Sequence, residues 1–211
     1  MTKGIQTRTT VLEQAAMLAS VDGLERVSLA QVADAVGMSK SGLFAHFRSK
    51  EQLQLEVIDT AAAIYSREVV KPGLAAPKGL PRLLAMCRAF LGYVKRDVFP
   101  GGCFFAAAAV EYDARTGAVR DRIAAQQRWW LQMLEQLIVE SVTAGHLRTE
   151  TDPAQLAFEL EALMFTANHL HKLDPRLDAL KRAEVAIIER LTRLATTSGL
   201  QAAELATAGR P

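Results

Sequence analysis

Cysteine is scarce in this chain: Cys87 and Cys103 are its only two, and no CxxC spacing joins them. Without that spacing there is no sign of a CxxC redox or zinc motif. Both read as small buried hydrophobes in a reducing compartment. No signal-peptide apolar core precedes them, so a cytoplasmic protein is expected. Long hydrophobic runs are missing too. The longest uncharged stretch, Val98 to Val110, is too short to span a bilayer and rich in glycine and alanine. Alternating strand patterns do not persist beyond about five residues. A P-loop, a dinucleotide fingerprint and a Ser/His/Asp or Cys/His grouping are all absent, so neither an enzyme nor a cofactor is expected.

Charge of one sign is also lacking overall, the net value being only +2. Its distribution is uneven. Residues 1–50 hold six Lys/Arg against four acids, while the rest of the chain is balanced, so the whole excess lies at the N-terminal end. Within it, MSKSGLFAHFRSK (Met38 to Lys50) contains no acid at all. Such an asymmetry points to a nucleic-acid contact surface.

What is present is helix-period patterning from end to end, rich in Ala, Leu, Glu, Arg and Gln. A first helix is predicted over Thr10 to Val21, burying Leu12, Ala15, Ala16 and Ala19 and stopping at Gly23. Ser28-Leu29-Ala30-Gln31 is a capping box opening a second helix, which Gly37 ends by taking positive φ. Ser39 caps a third, with Leu43 and Phe47 at i and i+4. Ser49 caps a fourth, with Leu53, Val57, Ala61 and Ile64 on one face, ending before Pro72. The Pro/Gly-rich segment from Lys71 to Pro81 reads as a linker. Further helices are predicted over about Leu80–Arg96, Cys103–Val110 and Gly117–Ala144, with a break at Phe99-Pro100-Gly101-Gly102. Asp152-Pro153 starts another, to about Lys172, and Asp174-Pro175 starts the last, to about Thr197. The remaining tail reads as frayed.

A capped short helix, a glycine turn and a second capped helix, packed on a preceding amphipathic helix, is the helix-turn-helix arrangement. Ser28 to Phe47 has the motif's length of about twenty residues, with the small Ala33 where the helices cross. The stretch VSLAQVADAVGMSKSGLFAHFRSKE (Val27 to Glu51) resembles the N-terminal signature of the TetR family of bacterial regulators. The resemblance is dense over about forty residues and beyond residue 70 is one of architecture. It implies an all-α fold: an N-terminal helix-turn-helix three-helix DNA-binding domain, then a larger helical ligand-binding and dimerisation domain. The expected divisions are 1–50 for DNA binding, 51–70 as connecting helix, 71–198 for regulation and dimerisation, and 199–211 as tail.

By the same resemblance, Ser28 would bond a phosphate. Ser39, Lys40, Ser41, Gly42 and Ala45 would face base edges and the groove wall, and Phe44, His46 and Lys50 would lie against the phosphate backbone. Phe44 departs from the family pattern, where tyrosine would offer a phenol to phosphate. With Gly42 and Ala45 reading little, direct readout falls to Lys40 and the serines, and Lys50 and His46 supply affinity.

The second part of the chain holds most of the bulky side chains. Met86, Phe90, Phe104, Trp130, Met133, Phe165 and His169 are candidates to line the family's cavity for a small, apolar effector; packed core is the plain alternative. Trp130 rather than Trp129 is in phase with Val119, Ile123, Leu134 and Leu137 and is expected inside. His169 and His171, at i and i+2, point about 200° apart and cannot chelate one metal. The last two helices carry broad apolar surfaces. Leu156, Leu160, Leu163, Ala167, Leu180, Ile187 and Leu191 are expected at a two-fold homodimer interface. The expectation is therefore a ligand-responsive regulator, most simply a repressor, binding a double-stranded operator as a homodimer without membrane association. The rival is a helical small-molecule-binding or scaffold protein that does not read DNA.

Overall fold

A computed structural model describes residues 3–44, 47 and 49–208. In chain order the helices are α1 Lys3–Asp22, α2 Leu29–Val36, α3 Lys40–Phe44, α4 Lys50–Tyr65, α5 Lys71–Leu74, α6 Leu80–Lys95, α7 Phe104–Tyr112, α8 Ala118–Thr143, α9 Pro153–Leu173, α10 Ala179–Leu194 and α11 Thr197–Ala208. A π-helical turn, Ser66–Val70, precedes α5, and a 3-10 turn, Pro175–Leu177, precedes α10. Among the described residues no strand forms; one isolated antiparallel bridge pairs Leu147 with Ala195. None of their helices is long and apolar enough to cross a membrane.

Two compact units result, and they do not follow linear order. The first comprises Met1–Ile64 together with Asp97–Gln127, the second Tyr65–Arg96 together with Arg128–Pro211. The expected boundaries at 50 and 70 differ from this division because α7 packs on α1, which brings residues far along the chain into the N-terminal unit.

In the first unit the local signals act as read. Ser28 Oγ accepts the Gln31 amide at 3.2 Å while Gln31 Oε1 accepts the Ser28 amide at 3.1 Å, completing the capping box. Gly37 sits at φ 67° and ends α2. Ala15, Ala16 and Ala19 of α1 are buried as expected, with Val11 in place of the half-buried Leu12, as are Val32 and Ala33 of α2 and Leu53, Val57 and Ala61 of α4. α1 starts earlier than predicted, at Lys3 rather than near Thr10.

In the second unit α6 packs on α9, α10, α11 and the π-helical turn. Here three expectations fail. Pro72 does not stop the helix before it. The π-helical turn resets the ladder, so the proline stands in the first turn of α5, where its missing N–H is not needed. The segment from Lys71 to Pro81 is not a linker but part of the unit. Its Gly79 amide donates to Glu140 Oε1 at 3.0 Å and the Leu80 amide to His146 Nδ1 at 3.2 Å, so α6 is capped by α8 and the turn after it. Asp174-Pro175 starts only the 3-10 turn, because Asp178 adopts φ 52° and restarts the chain as α10.

The tail is likewise helical rather than frayed. Thr196 Oγ1 accepts the Gly199 amide at 3.1 Å, which caps α11, and donates to the Gly145 carbonyl at 2.6 Å. Asp152 caps α9 as predicted, accepting the Ala154 and Gln155 amides at 3.0 and 3.1 Å.

Candidate nucleic-acid interface

The short helix α3 is set by its two ends and its inner face. Ser39 Oγ accepts the Gly42 amide at 3.2 Å and lies 3.3 Å from Ser41 Oγ. Leu43 and Phe47 are buried, so they anchor the helix to the unit and leave Ser39 and Ser41 on the exposed side. The Arg8 guanidinium of α1 stands 4.7 Å over the Phe47 ring and pairs with Glu56 of α4 at 2.6 Å. One arginine thereby touches the anchor of α3 and the flank of α4.

Of the nine residues expected to meet DNA, Ser39, Ser41 and Gly42 lie together on α3. Lys40 and Phe44 contribute backbone to the same helix, and their side chains lie outside the described set. Ala45 and His46 lie outside the described residues altogether. Ser28 is placed differently. Its hydroxyl donates to Gln31 Oε1 at 3.0 Å and accepts the Gln31 amide, so the cap already engages it.

Lys50 is the first residue of α4, after Ser49, whose Oγ accepts the Gln52 amide at 3.1 Å. Its Nζ lies 2.6 Å from Glu25 Oε1. The other carboxylate oxygen of Glu25 accepts from Tyr112 OH at 2.9 Å and Gln54 Nε2 at 3.1 Å, and Arg115 approaches it at 3.3 Å. The bond from Lys50, then those from Tyr112 and Gln54, hold the Glu25 carboxyl down at about 2. Burial first, then the Glu25 bond, raises the Tyr112 phenol. Glu111, near the end of α7, accepts the Leu24 and Glu25 amides. Sequence reasoning missed the partnership of Glu25, Glu111 and Tyr112 because 86 or 87 residues separate the partners and no local pattern joins them.

In the second unit Tyr65, Phe90, Tyr93 and Trp130 form one aromatic cluster. Tyr65 meets Trp130 edge-on at 5.3 Å and Tyr93 at 5.6 Å, and Phe90 stacks on Trp130 at 6.4 Å. Trp130 Nε1 donates to Glu161 Oε2 at 2.7 Å. Trp130 faces inward as expected, and Met86 is buried on α6. The remaining candidates for an effector cavity are dispersed. Phe104 packs with Phe99 and Phe105 in the first unit, Met133 and Phe165 are half-buried, and His169 is exposed. Two surface grooves of about 520 Å³ run along α6, with Arg88 and Glu184 in both, and neither uses the expected residues.

The residues expected at a dimer contact lie mostly inward in the single chain. Leu156, Leu160, Ala167, Ile187 and Leu191 are buried within their own unit, and Leu163 and Leu180 are half-buried. Their stripe is wide because α9 and α10 pack on each other and both pack on α6. The outward apolar side chains are Phe158 and Leu173 of α9, Leu177 of the 3-10 turn and Val185 of α10, exposed by 64, 72, 43 and 48%.

Residues 11–57 match the family model for bacterial regulatory proteins of the tetR family, and residues 79–187 match that for the tetracyclin repressor-like C-terminal domain. Among solved structures, the chain is similar to a TetR transcriptional regulator from Chloroflexus aurantiacus. The two are 30% identical with a TM-score of 0.85, over 92% of this chain and 98% of that one. A TetR-family regulator from Cytophaga hutchinsonii is 21% identical with a TM-score of 0.80, over 93% and 98%. AibR, solved in complex with isovaleryl coenzyme A and operator DNA, is 25% identical with a TM-score of 0.68, over 84% and 94%. No curated protein matches the chain. With an N-terminal model, a C-terminal model spanning over half the chain and a near full-length structural relative in agreement, the chain belongs to the tetR family of ligand-responsive, DNA-binding transcriptional regulators.

Proposed function

We propose that this regulator is a cytoplasmic repressor that binds a two-fold operator as a homodimer and leaves it when a small apolar molecule binds the second unit. The observation that carries the DNA reading is the build of α3. Leu43 and Phe47 are buried beneath it while Ser39 and Ser41 stay exposed, so two small hydroxyl side chains are offered to a major groove. Small groups there favour close backbone approach and contact with thymine methyls, with Lys40 as the long donor. Lys50 serves affinity through phosphate rather than sequence choice. AibR, seen with operator DNA and a coenzyme A thioester, supports both halves of the reading.

Dimerisation is assigned to the outward side chains Phe158, Leu173, Leu177 and Val185, which leave apolar surface uncovered on a single chain. The aromatic cluster around Trp130 supports an apolar effector. The test is fluorescence anisotropy on DNA flanking the protein's own gene, repeated with apolar and cationic compounds. Lys40→Ala is expected to weaken native-operator binding selectively. Equal binding to operator and to scrambled DNA would sink the assignment.

A further inference from the structure

Lys50 occupies an awkward place. It is a cation in the first turn of the sixteen-residue helix α4, where the positive end of the helix dipole disfavours it. Its ammonium is left to an anion for a partner, and the chain itself supplies one. Glu25 Oε1 lies 2.6 Å from Lys50 Nζ. Glu25 does not depend on this bond for its position. Its Oε2 is held by Tyr112 OH at 2.9 Å and Gln54 Nε2 at 3.1 Å, with Arg115 at 3.3 Å. Lys50 can therefore turn away without leaving Glu25 unpaired. Both side chains are also open to solvent, 49% exposed for Lys50 and 38% for Glu25, so exchange of partners carries little desolvation.

We infer that Glu25 is a resident stand-in for a DNA phosphate, a fixed intramolecular competitor for the Lys50 ammonium that lowers the protein's affinity for DNA of any sequence. The inference rests on the reading that Lys50 meets the phosphate backbone. Phosphate and Glu25 are anions of the same donor preference, and each bond Lys50 gives to one is withdrawn from the other. Tyr112 and Arg115 pin the competitor from the end of α7 and the turn beyond it, so residues outside the helix-turn-helix set how firmly it stays. A regulator gains from this by having its unspecific affinity held down, which leaves the base contacts of α3 to decide where it rests.

The experiment measures binding of the full chain to a mixed-sequence DNA duplex by fluorescence anisotropy across a salt series. Wild type, Lys50→Ala, Glu25→Gln and the double variant are compared. Lys50→Ala should weaken binding and flatten the salt slope by about 0.9. Glu25→Gln should tighten binding roughly 2- to 5-fold at low salt, and the double variant should bind as Lys50→Ala does. If Glu25→Gln fails to melt cooperatively, Glu25→Asp, which retracts the carboxylate by one methylene, carries the same expectation of tighter binding. Weaker or unchanged binding by the Glu25 variants, with Lys50→Ala still weakening it, overturns the competition and makes Glu25 a positioning residue for Lys50. A gain that persists in the double variant also overturns it, since the effect would then be one of net charge. No change on Lys50→Ala would instead reject the phosphate role of Lys50 itself.

Discussion

Glu111 spans the turn between α1 and α2, accepting the Leu24 amide at 2.7 Å through Oε2 and the Glu25 amide at 3.0 Å through Oε1. Those two amides open the segment leading into the helix-turn-helix, and nothing in their own neighbourhood along the chain satisfies them. Glu111→Ala would leave both part-buried donors without this acceptor, at a loss of about 1–3 kcal/mol. Glu111→Gln keeps one acceptor oxygen and should lose less. Urea unfolding of the two variants checks the order; equal loss in both would show that the second amide matters little.

A second close approach tests how tightly the first unit is built. A Cβ on Gly101 would stand 1.6 Å from the Ser20 carbonyl oxygen, a backbone atom that cannot step aside alone, and the Gly101 amide donates to Ser20 Oγ at 3.2 Å. Gly101→Ala should therefore destabilise by about 1–3 kcal/mol or more through overpacking. Gly117 is the control. It has φ 106° with open space around the missing Cβ, so Gly117→Ala should show only backbone strain, about 1 kcal/mol. A thermal melt in which the two variants fall equally would contradict the packing argument.

The Glu25 carboxyl, held down to about 2 from its ordinary 4.5, makes stability depend on acid. A lowered folded-state value means that the ionised form is the one the fold favours. The contribution is fully present above about 4.5 and is lost as pH falls toward 2. Glu25→Gln lacks this dependence. The gap in urea midpoint between wild type and Glu25→Gln should be constant from neutrality to about pH 5, then shrink steadily with acid. A gap that does not change between pH 5 and pH 3 would argue against the Lys50 and Tyr112 bonds in solution.

Trp130 and Trp129 are adjacent but differ in surroundings, 4% against 37% exposed. Trp130→Ala should cost about 3–5 kcal/mol by opening the cluster of Tyr65, Phe90 and Tyr93, whereas Trp129→Ala should be mild. Trp130→Phe should leave an emission that is red-shifted and readily quenched by acrylamide. The reverse pattern would mean that the two indoles are assigned the wrong way round.

The outward set on α9 and α10 has its own test. Phe158, 64% exposed, should tolerate a charge in the monomer fold but not at a two-fold contact. Phe158→Glu should shift sedimentation from dimer to monomer while the far-ultraviolet spectrum stays helical. The same substitution at the buried Leu160 should unfold the second unit instead.

Much of the fold was legible residue by residue. Ser28 with Gln31, Gly37, Ser39, Ser49 and Asp152 each act within three or four positions along the chain. Their donors and acceptors meet whatever the rest of the molecule does. The inward turn of Trp130 follows from helical period alone, whereas Phe47, expected one turn after Leu43 on the same helix, is buried outside α3, which ends at Phe44. Where such signals are ambiguous, the sequence misleads. Asp174-Pro175 carries the same start signal as Asp152-Pro153, yet Asp178 ends its turn after three residues.

By itself, then, the sequence determined the all-helical class, the caps and the helix-turn-helix with its small-residue face, because these are local interactions with a fixed period. Only the tertiary structure decided that Glu111 and Tyr112 grip the α1–α2 turn and Glu25, that Phe104 belongs to the first unit and Phe90 to the second, and that Phe158 rather than Leu160 faces outward. Each of these depends on which helices become neighbours across tens of residues, and a one-dimensional apolar stripe does not say how many neighbours will cover it.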